Sequence, residues 1–472
     1  MKCRAKGASR AHIFMATAGR NPADVTNPAG QIDVPAASLR YAWYAVFVLM
    51  VCYTLSFIDR QILSLLVGPI KRDLGLSDTR VGLLQGVAFA LFYTLVGLPL
   101  GRLADTRNRR NLVSAGVLVW SLMTGLSAVA GSFWPLFAAR MGVGVGEATL
   151  SPGAFSLLTD YFPKDRLGRA LSVYSMGIFI GSGLALIVGG SVVDFTAHIP
   201  AVNVPLFGLI ASWRFTFLIV GAPGLLVSLW LLTIQEPARK NLLIAQDGRV
   251  ERLSAAQVIE QIRIRWQSVL GISFAMVFQS MCTFAFMAWT PAFFQRVHHW
   301  SAGETGRSLG WIVAVFSCLG MYAGGAMADR WLKHGVAVAH LRVGVISGIG
   351  ALLFFVPALT ASSAMTTLVL LAPALFFLGL PVGTAYAALQ LILPNQVRGQ
   401  ISALFILIFS FGGMTLGPLL PALLNDYVFH SETMVGTSVA ITIGAGSILT
   451  AAIFRWIYGP YREHAAENVS FR

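Results

Sequence analysis

The sequence predicts an all-α membrane protein with twelve transmembrane helices arranged as two pseudo-symmetric six-helix bundles. Three observations lead to this fold class: the composition, a series of long apolar stretches and an internal repeat. Of the 472 residues, 56% are apolar and only 11% are charged, whereas about a quarter of the residues in a soluble chain are charged. This composition excludes a cytosolic enzyme. The four cysteines have no CxxC spacing, so neither a disulfide framework nor a metal site is expected.

Twelve apolar stretches are long enough to cross a bilayer, which takes about 20 residues each. We number them spans 1 to 12. They are 41–67, 80–103, 111–131, 134–160, 168–193, 213–235, 267–294, 306–328, 341–361, 364–392, 399–424 and 434–457. Because these runs are continuous, they disfavour a β-barrel, whose strands are short and alternate between apolar and polar residues.

The basic residues indicate the orientation of the chain. With the N-terminus in the cytoplasm, 26 of the 34 Lys and Arg residues fall in cytoplasmic loops and tails, as the positive-inside rule requires. We therefore expect a multi-pass protein of the cell (inner) membrane with both termini in the cytoplasm. The basic residues that give the net charge of +14 are spread along one side of the membrane and do not form a single patch, so no nucleic-acid partner is expected.

The spans divide the chain at its longest internal loop. The expected regions are a disordered cytoplasmic tail (1–40), an N-terminal bundle (41–236), a cytoplasmic linker (237–266), a C-terminal bundle (267–460) and a second cytoplasmic tail (461–472). In the linker, Val258, Ile262 and Trp266 are spaced by four residues, which predicts a short amphipathic helix. That helix either lies against the cytoplasmic leaflet or is an ordinary solvated linker.

The two halves repeat. GRLADTR at 101–107 recurs as GAMADR at 325–330, and FPKDRLGRALSVY at 162–174 recurs as LPNQVRGQISALF at 393–405. The two aspartates of the first pair and the two matching glycines of the second pair are separated by nearly the same length of chain. Such duplication is typical of transporters in which the substrate binds between two bundles near the membrane midplane.

The segment GRLADTRNRR at 101–110 resembles the loop signature of the major facilitator superfamily, with Asn108 where the pattern usually has glycine. The resemblance covers about residues 41–460 and implies the major facilitator fold. It also implies a latch that holds the cytoplasmic ends of the bundles together in the outward-facing state. The latch residues are Gly101, Asp105, Arg107, Arg109, Arg110, Asp329 and Arg330. A plain topological role would explain the arginines but not the repeated aspartates.

Four ionisable residues lie well inside the spans: Asp59 and Arg60 in span 1, and Arg140 and Glu147 in span 4. Charges at this depth are costly and usually functional. Arg140 and Glu147 are seven residues apart and so share one helix face. We expect Asp59 and Glu147 to titrate and Arg60 and Arg140 to be counter-ions that also contact an anionic substrate. The alternative is that Asp59 with Arg60, or Arg140 with Glu147, merely ties the spans together.

The surroundings of these charges narrow the family. The segments SFIDRQIL at 56–63, RMGVGVGEATLSPGA at 140–154 and SMGIFIGSGLALIVGG at 175–190 look like the spinster branch, which includes lysosomal lysophospholipid and sphingosine-phosphate exporters. The buried charges predict proton coupling, and this resemblance implies an amphiphilic, lipid-like anion as the substrate. An organic-anion:proton symporter branch has similar motifs, so small sugar acids remain an alternative substrate class. A non-transporting receptor on the same scaffold remains as well.

The second bundle offers neutral groups at expected cavity positions, namely Gln279, Thr283, Tyr386 and Gln390, among several phenylalanines. An amphiphile placed there has its apolar part on the aromatic side chains and its anionic head on the arginines. We find no pairing of a nucleophile with a base and no metal cluster, so we expect no enzyme activity. The proton gradient is the expected energy source, without a cofactor, and the protein is expected to be a monomer in the lipid bilayer.

Overall fold

The structure is a computed structural model that describes residues 39–200, 202–204, 208–237, 239, 255–394 and 397–470. Within these ranges the chain is almost entirely helical. Its two strands, Val202–Val204 and Gly208–Ile210, form an antiparallel hairpin in the loop between spans 5 and 6. The predicted all-α fold class is therefore confirmed. Nearly all of the predicted N-terminal tail, 1–40, lies outside the described residues.

The N-terminal bundle contains spans 1 to 6. They are span 1 (Leu39–Leu65), span 2 (Asp78–Gln85 and Val87–Thr106), span 3 (Arg109–Ser127), span 4 (Phe133–Glu147 and Leu150–Tyr161), span 5 (Lys164–Ala197) and span 6 (Ser212–Leu231). A short helix, Val67–Leu74, connects spans 1 and 2.

The C-terminal bundle contains spans 7 to 12. They are span 7 (Trp266–Val297), span 8 (Ala302–Lys333), span 9 (Ala339–Thr360), span 10 (Ala364–Gly379 and Pro381–Ile392), span 11 (Arg398–Leu423) and span 12 (Val435–Trp456). Span 11 continues as a π-helix, Leu424–Phe429, and a 3₁₀ turn, Glu432–Met434, leads into span 12.

Ten helices in the described part of the chain are long and apolar enough to cross a membrane. The other two predicted spans, 3 and 4, are also helical and pack within the N-terminal bundle. Span 3 begins with the polar run Arg109–Asn111, and span 4 is interrupted directly after Glu147, which leaves two pieces that are each shorter than the roughly 20 residues of a full crossing.

Small residues bring span 4 against span 3. A Cβ on Gly146 would lie 2.6 Å from the carbonyl oxygen of Gly116, and one on Gly116 would overlap the Thr149 hydroxyl. Helices in membranes approach this closely only through such residues. Glu147 follows Gly146 directly, so this contact fixes the depth of Glu147 and the direction in which it leaves the helix.

The two ends of the bundles need names that do not presuppose an orientation. We call the end that carries the loops 66–77, 198–211, 298–301 and 424–434 the distal end, and the opposite end, with the loops 107–108, 162–163 and 334–338, the proximal end. The sequence predicts that the proximal end faces the cytoplasm.

The C-terminal bundle extends beyond the predicted boundary at residue 460. The helix Tyr458–Ser470 folds back onto the bundle. Tyr461 is fully buried, and its hydroxyl donates to the carbonyl oxygen of Ala388 at 3.0 Å. His464 Nδ1 lies 2.9 Å from Ser268 Oγ. Much of the segment expected as a tail is thus a packed helix.

The predicted linker helix is present as Ala255–Ile264. Two large apolar side chains are exposed there: Ile259 within the helix and Trp266 just after it. Contact between this helix and the leaflet stays a prediction.

Replacing Tyr461 with alanine tests whether the last helix belongs to the bundle. Truncation of a buried aromatic side chain costs about 3–5 kcal/mol, so Tyr461→Ala should lower the thermal unfolding midpoint of the detergent-purified protein. The control is Arg462→Ala, since Arg462 is exposed and should leave the midpoint unchanged. Equal midpoints for the two variants would show that the helix adds nothing to the bundle.

Candidate functional site

The four charged residues of spans 1 and 4 form one cluster inside the N-terminal bundle. The exposed fractions of Asp59, Arg140 and Glu147 are 3%, 2% and 1%. The side chain of Arg60 is 15% exposed, so it is the most accessible member of the cluster. The structure therefore brings together all four residues that the sequence singled out. We call them the charged cluster.

Arg60 and Glu147 form the central contact of the charged cluster. Arg60 Nε donates to Glu147 Oε2 at 2.6 Å, and Arg60 Nη2 lies 2.5 Å from the same oxygen. Ser56 Oγ, one turn earlier in span 1, also donates to Oε2 at 2.7 Å. Glu147 Oε1 is buried and has no hydrogen-bond partner in the described part of the chain. Oε2 thus receives all of these contacts, and Oε1 receives none from the described residues.

Asp59 and Arg140 are held more loosely. Thr124 Oγ1 donates to Asp59 Oδ2 at 3.2 Å, and Arg140 Nη1 donates to the backbone oxygen of Asp59 at 3.3 Å. Arg140 Nε is buried without a partner among the described residues. Burial of a donor that makes no hydrogen bond is unfavourable, so Arg140 retains hydrogen-bonding capacity for an anion.

Aromatic rings surround the Arg60 guanidinium. The guanidinium carbon lies 4.4 Å from the ring centre of Phe89, 5.2 Å from that of Tyr93 and 5.3 Å from that of Phe57. These are distances at which a cation is attracted to the face of a ring. Arg60 therefore keeps its charge in an apolar environment that favours the hydrocarbon part of a ligand as well as an anionic group.

The observed pairing differs from both pairs that the sequence suggested. Side chains on a helix lean toward its N-terminus. Span 1 runs toward the distal end, so Arg60 leans toward the proximal end. Span 4 runs in the opposite direction, so Glu147, which lies nearer the proximal end than Arg60, leans toward the distal end. The two side chains therefore lean toward each other. Arg140 leans toward the distal end, away from Glu147.

Two arginines of the loop signature, Arg109 and Arg110, bind inside the N-terminal bundle. Arg109 is almost fully buried and donates to Asp160, to Glu236 Oε1 at 2.7 Å and to Ser156 Oγ at 3.0 Å. A buried guanidinium is sustained when carboxylates pair with it and accept its hydrogen bonds. Arg109 thus stays charged and ties the proximal ends of spans 3, 4 and 6 together.

Arg110 follows the same pattern, since its backbone N–H donates to Glu236 Oε2 at 3.0 Å and its side chain to the carbonyl oxygen of Ile234 at 3.3 Å. Asn108, the departure from the family pattern, accepts a hydrogen bond from Asn111 N at 2.8 Å. It caps span 3, as asparagine commonly does at helix starts.

The other latch residues make fewer contacts. A Cβ on Gly101 would meet nothing within 4 Å. Arg107, Asp329 and Arg330 are exposed, and the side chain of Asp105 lies outside the described residues. A latch between the bundles at the proximal end stays a prediction for the state in which that end is closed.

The predicted cavity residues of the C-terminal bundle divide into two groups. Gln279 is buried inside that bundle, where its Nε2 donates to Leu378 O at 2.7 Å and to Ser347 Oγ at 3.2 Å. Gln390 Nε2 donates to Ser402 Oγ. Thr283 is half-buried and Tyr386 is exposed. Gln390 is also half-buried, so all of the four except Gln279 are at least partly exposed.

An ionic network at the distal end was not predicted. Asp78 is fully buried and accepts from Lys71, from Arg296 Nη1 and Nη2 at 2.8 Å each, and from Asn425 Nδ2 at 3.0 Å. Lys71 also binds Glu432 at 2.8 Å. These contacts join the two bundles. In the sequence, Lys71 and Arg296 are ordinary loop charges, because pairing between bundles has no local pattern.

Replacing Arg109 tests its role inside the N-terminal bundle. Removing one member of a buried ion pair costs about 3–5 kcal/mol, so Arg109→Ala should lower the thermal unfolding midpoint of the purified protein. Arg107→Ala is the matched control, because that neighbouring side chain is exposed and should leave the midpoint unchanged. A midpoint of Arg109→Ala equal to that of the wild type would rule out the structural tie.

Comparisons with known proteins agree with this architecture. A family model described as "Major Facilitator Superfamily" matches residues 49–418. An "MFS-type efflux pump" of Mycolicibacterium smegmatis is 29% identical over 451 residues, which cover 91% of this chain and 95% of that protein. A "Probable L-galactonate transporter" of Escherichia coli is 24% identical over 80% of this chain and 82% of that protein.

The predicted resemblance to the spinster branch is confirmed. "Protein spinster homolog 1" of Rattus norvegicus is 30% identical over 58% of this chain and 52% of that protein. The crystal structure of a bacterial homolog to the human lysosomal transporter spinster, in an inward-facing and unoccupied conformation, matches with a TM-score of 0.75. It is 25% identical and covers 92% of this chain and 99% of that one.

Proposed function

The chain belongs to the Major Facilitator Superfamily, and on that premise we propose that it is a proton-coupled secondary transporter that works by alternating access. It is a multi-pass membrane protein of a transporter family. The observation that carries proton coupling is the buried Arg60–Glu147 ion pair, with Asp59 and Arg140 beside it. Ionisable groups at this depth commonly mark proton or substrate pathways.

Competition for Arg60 links the proton to the substrate. A buried carboxylate prefers the protonated form unless a positive charge compensates for the loss of water. An anionic substrate that binds the partly exposed Arg60 takes this compensation away from Glu147. Glu147 then takes up a proton, and its unpartnered Oε1 is free to receive it. Substrate and proton occupancy are therefore thermodynamically coupled.

Asp59 and Arg140 provide a second acid and a second anion contact. Asp59 accepts only one side-chain hydrogen bond, from Thr124, and among the described residues no basic group forms an ion pair with its carboxylate. The Nε of Arg140 has no hydrogen-bond partner among the described residues. An anion that reaches both Arg60 and Arg140 thereby changes the electrostatic environment of both acids.

The surroundings of Arg60 favour an amphiphilic anion of the lysophospholipid or sphingoid-phosphate type. The rings of Phe57, Phe89 and Tyr93 around its guanidinium supply apolar surface beside the charge. The partly or fully exposed groups predicted in the opposite bundle, Thr283, Gln390 and Tyr386, are neutral. An amphiphilic anion would fit these surroundings with its charged head on Arg60 in the N-terminal bundle and its apolar part extending toward the neutral C-terminal bundle.

A small sugar acid is the second candidate substrate. It is favoured by the similarity, over most of both chains, to the "Probable L-galactonate transporter" of Escherichia coli and to the "Probable galactarate/D-glucarate transporter GudP" of Bacillus subtilis. For this class, Arg60 and Arg140 hold the carboxylate, and neutral polar groups bind the hydroxyls.

The remaining expectations belong to the same proposal. The protein works as a monomer in the cell (inner) membrane, with the proximal end and both termini in the cytoplasm and the proton gradient as its energy source. The ionic network around Asp78 joins the two bundles at the distal end, and in our proposal a substrate therefore enters between the bundles from the proximal, cytoplasmic end.

Reconstituted vesicles with an internal pH dye test the coupling. The wild-type protein should move protons only when substrate is added. In Glu147→Gln and Asp59→Asn vesicles this proton movement should fall to the level of empty vesicles, because the titrating group is gone. Counterflow of labelled substrate, which needs no net proton transfer, should continue at a rate independent of pH.

The control is Glu463→Gln, which removes an exposed acid outside the spans and should behave as the wild type. Lysophospholipids, sphingoid phosphates and hexuronates are added separately, and the one that drives proton movement identifies the substrate class. Substrate-dependent proton movement that persists in both Glu147→Gln and Asp59→Asn would refute coupling through these residues. Binding without counterflow would instead indicate a receptor.

A further inference from the structure

Two aspartates cross the interface between the bundles at the distal end. Asp426, in the π-helix that extends span 11, accepts hydrogen bonds from the first backbone N–H groups of span 2, at 2.6 Å from Thr79 N and 3.3 Å from Asp78 N. The first N–H groups of a helix have no partner within the helix and carry partial positive charge. Asp426 supplies that partner from the other bundle.

Asp194 does the same in the reverse direction. It lies near the distal end of span 5, in the N-terminal bundle, and accepts from Gly303 N at 2.9 Å and from Ser301 Oγ at 3.1 Å, where span 8 begins. A Cβ on Gly303 would overlap Asp194 Oδ2. Only glycine at this position allows the carboxylate to come so close.

The internal repeat relates the two contacts to each other. Thr79 and Gly303 are separated by the same length of chain as the repeated aspartates of the loop signature. Asp194 and Asp426 are separated by one position more than the matching glycines of the repeat at spans 5 and 11. The two contacts therefore join equivalent positions of the two halves. We call each contact a clasp, one from Asp426 to span 2 and one from Asp194 to span 8.

The helix starts that receive the clasps are also equivalent. Ser77 accepts from Arg80 N at 3.3 Å, and Ser301 accepts from Glu304 N at 3.1 Å. The separation of the two serines along the chain equals that of Thr79 and Gly303. Each serine caps one N–H group of its helix, and the aspartate of the other bundle binds a neighbouring one.

On the proximal side of the Asp426 clasp, span 2 contacts span 11 through glycines. A Cβ on Gly82 would lie 2.8 Å from the carbonyl oxygen of Pro418, and one on Gly86 would lie 2.7 Å from that of Met414. Glycines four residues apart let helix backbones approach this closely.

On the proximal side of the Asp194 clasp, span 8 contacts span 5 in the same way. A Cβ on Gly306 would overlap the carbonyl oxygen of Leu186, and one on Gly310 would lie 2.5 Å from that of Gly183. Gly306 and Gly310 are the positions that the repeat makes equivalent to the two glycines of span 2, because the separation along the chain is again the same. The clasps and the glycine contacts on their proximal side therefore form two copies of one interface.

We propose that the Asp194 and Asp426 clasps are a pseudo-symmetric lock that holds the distal ends of the two bundles together. Both clasps must break when the distal end opens, because each joins one bundle to the other. The lock rests on the alternating access of the proposed function, but not on proton coupling or on the identity of the substrate.

Spin-label distances between the distal ends of the bundles test the lock without any substrate. The labels are placed on exposed positions by Ala197→Cys and Ser362→Cys, in a protein whose native cysteines are changed to serine. The wild type should show mainly the short distance of the closed end. Asp194→Ala and Asp426→Ala should each raise the long-distance fraction severalfold, and the double variant should raise it most.

Asp73→Ala is the matched control. Asp73 is also a distal acid, but it binds Trp213 Nε1 and Arg214 within one bundle, so its loss should leave the distances unchanged. Gly303→Ala breaks the Asp194 clasp by steric overlap with both aspartates intact and should also open the distal end. Circular dichroism and gel filtration identify the variants that are folded.

The lock is refuted if the folded double variant and Gly303→Ala both keep the wild-type distances, or if Asp73→Ala opens the distal end as much as they do. These results do not depend on proton coupling. Asp59→Asn removes a proposed coupling residue but leaves both clasps in place.

Discussion

The buried ion pair between Arg60 and Glu147 is the interaction on which the rest of the site depends. It places opposite charges from spans 1 and 4 in contact, with Glu147 fully buried and Arg60 largely so. A buried pair of this kind is sustained only while each partner has the other. In the function that we propose, a ligand that competes for Arg60 acts on the protonation of Glu147, and this dependence couples substrate binding to proton binding.

The sequence predicted the fold and the members of the charged cluster because both have strong local signals. Apolar stretches of spanning length mark the helices, and a charge inside such a stretch is conspicuous. The pairing within the cluster was not predicted, since it depends on the opposite directions in which Arg60 and Glu147 lean along antiparallel helices. The burial of Arg109 against Asp160 and Glu236 also could not be inferred from its place in a loop motif, because these partners are distant from it in the sequence.

The distal interface shows what an internal repeat contributes beyond topology. Repeated helices supply equivalent surfaces, so one arrangement of serine cap, glycine pair and aspartate serves twice, between spans 2 and 11 and between spans 5 and 8. In the sequence, the repeat is visible at the proximal loops. Its distal counterpart has no sequence signal, because the carboxylates of Asp194 and Asp426 bind groups of the opposite bundle. The ionic network around Asp78 is an addition to the first of these two contacts.

Infrared difference spectroscopy of the purified protein tests the central claim most directly, because it reports protonation of a carboxyl group when substrate binds. The account predicts that a saturating substrate, identified by its ability to drive proton movement, increases the protonated-carboxyl band of the wild type. It also predicts that this change is absent in Glu147→Gln. A wild-type spectrum without any carboxyl change, or an equal change in Glu147→Gln, would contradict the claim that displacement from Arg60 protonates Glu147.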